Sequence, residues 1–261
     1  MLAACNNAPV LAHVVMAEDI RLLQVKWDDE NGARAPHAGQ FYTLRAWGAD
    51  EAPFLSRPIS VHGWDAESKT LSFLYQIKGA GTEKLARLAV GDTLQVTGPM
   101  GNGYDVAALA KQYKKIAVVG GGIGTAPQHQ LAQELAACGI VPDVFFGFHS
   151  LPYAMEPLAA IEALGGLVKI STDDGSAGHK GFVTALYNPA DYDAVLVCGP
   201  HIMMEFVAKA CAAAGTDCIV SLEGKMACGI GACLGCTCKT TAGEARSICK
   251  HGPIFNASEV F

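Results

Sequence analysis

Five cysteines lie close together near the end of the chain, at Cys228, Cys233, Cys236, Cys238 and Cys249, and four of them follow the spacing C-x4-C-x2-C-x12-C. Three thiolates on one short loop and a single distant partner match the ligand pattern of a plant-type [2Fe–2S] cluster. The expected ligands are therefore Cys228, Cys233, Cys236 and Cys249, with Cys238 outside the pattern. In MACGIGACLGCTC, Gly229, Gly231 and Gly235 let the backbone turn tightly, at positive φ where needed, and aim its amides at sulfur. Structural zinc is the competing chemistry for such thiols. Zinc ribbons, however, use paired C-x2-C knuckles, and only one such step, Cys233 to Cys236, precedes the lone Cys249. A cluster of this kind handles single electrons, so the rest of the chain must supply their source and destination.

Composition limits what those can be. The chain has 261 residues, 51% of them hydrophobic, which suffices for two compact domains and a small appendage. A formal charge of −6 without a basic patch argues against nucleic acid or an anionic membrane as the main partner. No cationic segment precedes the apolar N-terminal stretch, and no run of eighteen apolar residues occurs, so a soluble, unprocessed chain is expected. Half of the ten cysteines fall in one metal-type cluster rather than in a disulfide framework, which fits a reducing cytoplasm. None of the eight histidines stands at a telling spacing from a carboxylate or another histidine, and they are expected to be surface or core residues.

Three pieces must position the cysteines and whatever feeds them. In the first, residues 1–106, the short runs LLQVKW, FYTLRAW, PISVHGW, LSFLYQI and DTLQVTG alternate with turn signals, predicting a small antiparallel β-barrel. In the second, residues 107–222, the apolar runs KKIAVVG, DVFFGF, LVKIST, DAVLVCG and CIVSLE alternate with helical segments. These predict a five-stranded parallel α/β sheet, with two helices ending before Gly139 and Gly215. The third, residues 223–261, carries the cysteine cluster.

Within the second piece, KKIAVVGGGIGTAP is a strand, a glycine turn through Gly120, Gly121, Gly122 and Gly124, and then a helix. That arrangement receives a pyrophosphate at backbone amides. The acidic residue usual about twenty positions on is missing, since DVFFGFHS ends in His149 and Ser150. Asp173 and Asp174 instead follow LVKIST, at a strand end that faces the nucleotide in open parallel sheets. Acid there repels a 2′-phosphate and accepts from a ribose hydroxyl, which favours NAD over NADP.

In the first piece, SRPIS and KGAGTEKLARL resemble the flavin-binding signature and the second phosphate motif of the ferredoxin–NADP reductase superfamily, and GPMG, Gly98 to Gly101, resembles the turn closing its flavin barrel. The resemblance implies FAD, held by Arg57, Pro58, Ile59 and Ser60 and by Lys78, Gly79, Gly81 and Thr82. Physically, Arg57 can bond a pyrophosphate and Ser60 can reach the flavin ring edge, while Gly79 and Gly81 permit close approach and Thr82 can cap a helix from Glu83 to Leu88. Ile59 departs from the aromatic residue that many members place there. CGP, Cys198 to Pro200, resembles the pair at which the nicotinamide meets the flavin, implying a catalytic place for Cys198 beside Gly199.

With the C-terminal cluster added, TDDGSAGHKGFVT and SLEGKMACGIGACLGCTCK resemble the electron-transfer subunits of class 1B dihydroorotate dehydrogenases over nearly the full length. The resemblance implies an FMN-containing dihydroorotate dehydrogenase catalytic subunit as partner, as a heterotetramer of two of each. Electrons would then pass through the [2Fe–2S] cluster and FAD to NAD+. The flavin subunit of a ferredoxin-linked NAD(P)H oxidoreductase or sulfide dehydrogenase shares the domain order, although such subunits can use a non-cysteine ligand. A regulatory subunit with structural zinc is the non-enzymatic alternative.

Overall fold

The structure, a computed structural model, describes residues 4–28, 34–155 and 158–261; the first few positions of the expected first domain lie outside them. Seven antiparallel strands form the first unit: β1 (Ala4–Val15), β2 (Ile20–Lys26), β3 (Phe41–Arg45), β4 (Arg57–Ser60), β5 (Gly63–Asp65), β6 (Thr70–Gln76) and β7 (Thr93–Met100), in the order β4-β3-β7-β1-β2-β6-β5. Val61 and His62 join the two ends of this ribbon. Their amides bond to Gln40 O at 3.0 Å and Ser72 O at 2.9 Å, so the sheet curls on itself. Alternation drives the curl: in β7 Leu94, Val96, Gly98 and Met100 turn inward, and Trp27, Tyr42, Phe73 and Leu85 fill the interior. Helix α1 (Ala80–Leu85) is the only α-helix of this unit among the described residues, and α2 (Val106–Gln112) leads out of it.

The second unit contains the five expected parallel strands: β8 (Ile116–Gly121), β9 (Asp143–Phe148), β10 (Val168–Thr172), β12 (Ala194–Cys198) and β13 (Asp217–Ser221). All residues of β8 and β12 are buried, as strands covered on both faces require. Helices α3 (Ala126–Ala137), α4 (Ala159–Ala163) and α5 (His201–Ala214) cover the faces. Gly139 follows α3 at φ 89°, and Gly215 caps α5 at φ 72°.

The sheet is wider than the sequence suggests. Its order is β11-β10-β9-β8-β12-β13-β16, with β11 (His179–Lys180) added at one edge and β16 (Ile254–Asn256) pairing antiparallel with β13 at the other. Strand β16 belongs to the cysteine-rich segment, which also contains β14 (Thr237–Lys239), β15 (Ala245–Ser247), α6 (Ile248–His251) and α7 (Ala257–Val260). The segment is thus no loose appendage. Cys236, Ile248, Cys249 and Phe255 share one core with Val119, Val197 and Val220, and Asn102 N donates to Gly252 O at 2.6 Å.

Candidate redox site

A cleft of about 230 Å3 opens where the three units meet. From the first unit it is lined by Arg57, Pro58, Ile59 and Ser60 of β4, with Lys78 and Thr82 around α1; from the second, by Ile123, Ala126 and Pro127; from the third, by Glu223, Gly224 and Met226. The sequence motifs SRPIS and KGAGT therefore converge. Arg57 donates from Nη2 to Leu55 O at 2.6 Å, while its Nε is buried with no hydrogen-bond partner. A buried guanidinium nitrogen left unpaired is costly, and an anion in the cleft would satisfy it.

Thr82 acts differently from its expected capping role. Helix α1 begins at Ala80 rather than Glu83, with Gly79 as its N-cap, so Thr82 is the third helical residue. Its hydroxyl accepts from the amides of Lys78 at 2.9 Å and Gly79 at 3.2 Å and donates to Gly79 O at 2.9 Å, so those two amides are already engaged. Gly79 has open space at its missing Cβ, whereas a Cβ on Gly81 would strike Arg57.

The glycine turn lies at the topological switch point of the parallel sheet: from β8 the chain proceeds to β9 and β10 on one side, while β12 and β13 lie on the other. Gly122 has φ 54°. A Cβ on Gly124 would lie 2.6 Å from Gly199 Cα, so the turns after β8 and β12 pack backbone to backbone. Gly120 packs against Thr125 and Phe146 inside the fold. Cys198 is buried at the end of β12; burial first, then the nearby Glu223 carboxyl, push its thiol up, while Ser221 opposes them through a hydrogen bond. Cys198, Gly199, Gly120 and Gly124 form this packed contact rather than the lining of either cleft.

A second cleft, of about 500 Å3, borders Gly121, Gly122 and Pro200 and extends to His149 and Asp173 at the ends of β9 and β10. His149 Nδ1 stands 3.2 Å from Asp173 Oδ2, a pairing that the sequence reading of the histidines missed. Glu223 was missed as well. It is the only carboxylate among the described residues lining the first cleft; burial raises its pKa, and the charge of Lys78 partly offsets the rise. Its place at the end of the strand CIVSLE, a strand end of an open parallel sheet, is the signal that could have found it.

The four expected cluster thiols lie together as two pairs. In each pair an amide of one cysteine is directed at the sulfur of the other, Cys233 at Cys228 and Cys249 at Cys236. Backbone amides point at the sulfurs: Gly231 N to Cys249 Sγ at 3.0 Å, and Cys233 N to Cys228 Sγ, Gly235 N to Cys233 Sγ and Cys249 N to Cys236 Sγ, each at 3.4 Å. Burial alone would raise the Cys228 thiol, but amides of Ile230, Cys233 and Ala232 and the Cys233 side chain bring it down to about 6. Burial and then Cys236 push Cys249 up to about 12. Among the described residues, no three His, Cys, Asp or Glu side chains converge as a single metal ion would need. Two sulfur pairs with inward amides suit a centre of two irons, each taking two thiolates.

Positive φ occurs at Gly229 (70°), Gly231 (80°) and Leu234 (59°), so a leucine takes the third such position where Gly235 was expected. Cys238 points away from the set, its Sγ directed at Arg246 O at 3.4 Å. Met226, two residues before Cys228, lines the first cleft, and a Cβ on Gly229 would touch Met100 of β7. The cysteine loop therefore lies directly against the barrel and its cleft.

Fold and site together define a flavoprotein reductase of the ferredoxin–NADP reductase type joined to an iron–sulfur segment. Among solved structures, an NADH-dependent reduced ferredoxin–NADP oxidoreductase matches with TM-score 0.82 and 25% identity over 97% of this chain and 89% of that one. The FAD/NAD-binding domain of a nitric oxide dioxygenase from Vibrio cholerae, with TM-score 0.70 and 16% identity, covers 84% of this chain and 98% of its own and shares the fold. Residues 223–261 match the iron–sulfur cluster binding domain of dihydroorotate dehydrogenase B. The electron transfer subunit of dihydroorotate dehydrogenase B (NAD(+)) from Clostridium acetobutylicum is 48% identical over 222 residues, 85% of each chain. Its counterpart from Caldanaerobacter subterraneus is 36% identical over 259 residues, 97% of each. The chain belongs to this family of dihydroorotate dehydrogenase B electron transfer subunits.

Proposed function

We propose that this chain relays electrons from an FMN-containing dihydroorotate dehydrogenase catalytic subunit to NAD+, in the formation of pyrimidines. The observation that carries this reading is the junction at Met226, where the paired-cysteine loop abuts the cleft formed by both reductase units. When bound, a [2Fe–2S] cluster and FAD supply the exchange between single electrons and hydride that such a relay needs. On this reading residues 1–106 bind FAD, 107–222 bind NAD, and 223–261 hold the cluster through Cys228, Cys233, Cys236 and Cys249.

The chain's own groups fit those tasks. Arg57 and Lys78 neutralise the FAD pyrophosphate, with Gly79 allowing its close approach and Gly81 making room for the Arg57 side chain. Pro58 and Ile59 wall the flavin, and the Ser60 hydroxyl bonds its polar edge. Gly122, open at its missing Cβ, leaves room for the dinucleotide pyrophosphate, with Gly120, Gly121 and Gly124 setting the turn. Asp173 holds a ribose hydroxyl. Cys198, kept as a neutral thiol by burial, and Gly199 back the turn at Gly124 behind the place where the nicotinamide meets the flavin, and Glu223 offers a carboxyl in the first cleft.

Among the described residues no helix is long and apolar enough to cross a membrane. We place the protein in the cytoplasm, in a heterotetramer of two chains of each kind, with neither nucleic acid nor membrane as partner. The test is reconstitution. Anaerobically purified chain should show flavin and iron–sulfur absorbance and oxidise NADH with an artificial acceptor, yet leave dihydroorotate untouched until the FMN-containing subunit is added. Dihydroorotate-dependent NAD+ reduction by this chain alone, or a colourless protein, would refute the reading.

A further inference from the structure

Cys211 and Cys218 stand outside the clefts and the cysteine cluster. Cys211 lies near the end of α5 and Cys218 near the start of β13, with the turn through Gly215 between them. Thr216 N donates to Cys211 O at 3.0 Å and draws the two elements together. Helix α5 packs on β13, and both thiols belong to one buried core cluster. The interaction with Cys218 holds the Cys211 thiol below its usual range, against the effect of burial, and Cys211, ahead of burial, pushes Cys218 up. One proton is therefore held between two sulfurs, and the singly ionised pair is a thiolate beside a thiol.

The pair is open to solvent on one side. A pocket of about 350 Å3 lies between α5, the start of β13 and α7, where Ala212, Cys218 and Ser258 line it. Among the described residues it shares none with either cleft. Cys218 is 5% exposed, whereas Cys211 is 0% exposed and absent from the lining. A small molecule entering this pocket thus meets Cys218 first, with Cys211 behind it. One sulfur that can be attacked from solvent and a second poised to resolve it is the arrangement that turns a two-electron oxidation into a disulfide.

We propose that Cys211 and Cys218 form a second thiol centre, which small hydroperoxides entering this pocket convert to a disulfide between α5 and β13. The Cys211 thiolate takes the Cys218 proton as the Cys218 sulfur attacks the peroxide. The O–O bond breaks, an S–O bond forms, and the departing alkoxide takes a proton from solvent. Cys211 then attacks the sulfur of the Cys218 sulfenic acid: the S–S bond forms, the S–O bond breaks, and hydroxide leaves with the Cys211 proton as water. The two thiols lose two electrons, the peroxide gains them, and the products are a disulfide, an alcohol and water.

The test treats the full chain with its cofactors, purified anaerobically, with tert-butyl hydroperoxide, followed by alkylation and tryptic digestion. Residues 210–225 form one tryptic peptide containing both cysteines, so the bridge appears as that peptide two hydrogens lighter and closed to alkylation. It should form at least about tenfold faster than dimedone traps sulfenic acid at the exposed Cys5 or Cys138, because a thiolate with a resolving thiol beside it outpaces a single thiol. Dithiothreitol should reverse it. In Cys211→Ser, dimedone should instead trap Cys218, and in Cys218→Ser, Cys211 should stay unmodified. Cys211→Ala and Cys218→Ala repeat the comparison with no hydroxyl placed in the core. A wild-type peptide that stays reduced while Cys5 or Cys138 is oxidised, or dimedone on Cys211 but not on Cys218 in the single variants, would overturn the proposal.

Discussion

Arg57 rests directly against Gly81: a Cβ at Gly81 would lie 2.7 Å from Arg57 Cδ and 3.0 Å from its Nε. The close approach brings the arginine of β4 and the turn before α1 onto one anion. Gly81→Ala should therefore displace the guanidinium and lower FAD occupancy, much as Arg57→Ala does directly. Losing a charge-assisted hydrogen bond costs about 1.5–3 kcal/mol, a roughly 10- to 100-fold loss of affinity. Flavin absorbance relative to protein after dilution and re-concentration measures it. Ser60→Ala, which removes one neutral hydrogen bond, should keep its flavin.

The thiol arrangement divides the cysteines. Serine at Cys228, Cys233, Cys236 or Cys249 should abolish or shift the iron–sulfur spectrum, whereas Cys238→Ser should leave both the visible spectrum and the iron content intact. Cluster loss in Cys238→Ser with an intact cluster in Cys236→Ser would reverse the assignment.

Leu234 is 65% exposed at φ 59°, and Ile230 beside it is 60% exposed. On the proposed function, a leucine held in a left-handed conformation yet contributing little packing faces the catalytic subunit. Leu234→Asp should weaken dihydroorotate-dependent NAD+ reduction in the reconstituted complex by tenfold or more, as loss of a central interface contact does. NADH oxidation with an artificial acceptor should stay unchanged.

Asp173 and its partner His149 face the second cleft without a neighbouring Arg or Lys in its lining, among the described residues. Discrimination for NADH over NADPH in catalytic efficiency should reach about 30-fold, the scale of a like-charge clash of about 2 kcal/mol. Asp173→Asn should narrow it, and equal efficiency in the wild type would refute the role.

His62 and His129 form a buried ring pair between the barrel and α3, with centroids 4.6 Å apart and His62 Nδ1 2.9 Å from Ala126 O. Burial lowers both pKa values. The Ala126 carbonyl partly offsets the shift at His62, and the charge of His62 lowers His129 further. A depressed folded pKa means that the unfolded chain takes up protons first. The contribution to stability is therefore complete above about pH 6.5 and is lost as pH falls, by up to about 1.4 kcal/mol per pH unit for each ring. Denaturation midpoints should drop between pH 7 and 5, and His129→Gln should flatten that slope. A midpoint independent of pH in this range would refute it.

Local patterns in the sequence determined the elements and their chemistry. Alternating runs produce the barrel strands, fully apolar runs the parallel sheet, glycines the turns after β8 and α5, and cysteine spacing the two sulfur pairs. Each depends on neighbours within about a dozen residues, the range over which periodicity and backbone preference act. Tertiary packing alone decided what meets across longer separations. It paired β16 with β13 and so built the cysteine segment into the sheet core, brought His149 to Asp173 and His62 to His129, and turned Glu223 into the first cleft. It also placed Thr82 inside α1 rather than before it, because Thr82 reaches back to the Lys78 and Gly79 amides and the helix starts at Ala80. Single residues such as these carry no periodic signal, and their partners are selected by the burial of polar atoms that must be satisfied once the sheets have closed over them.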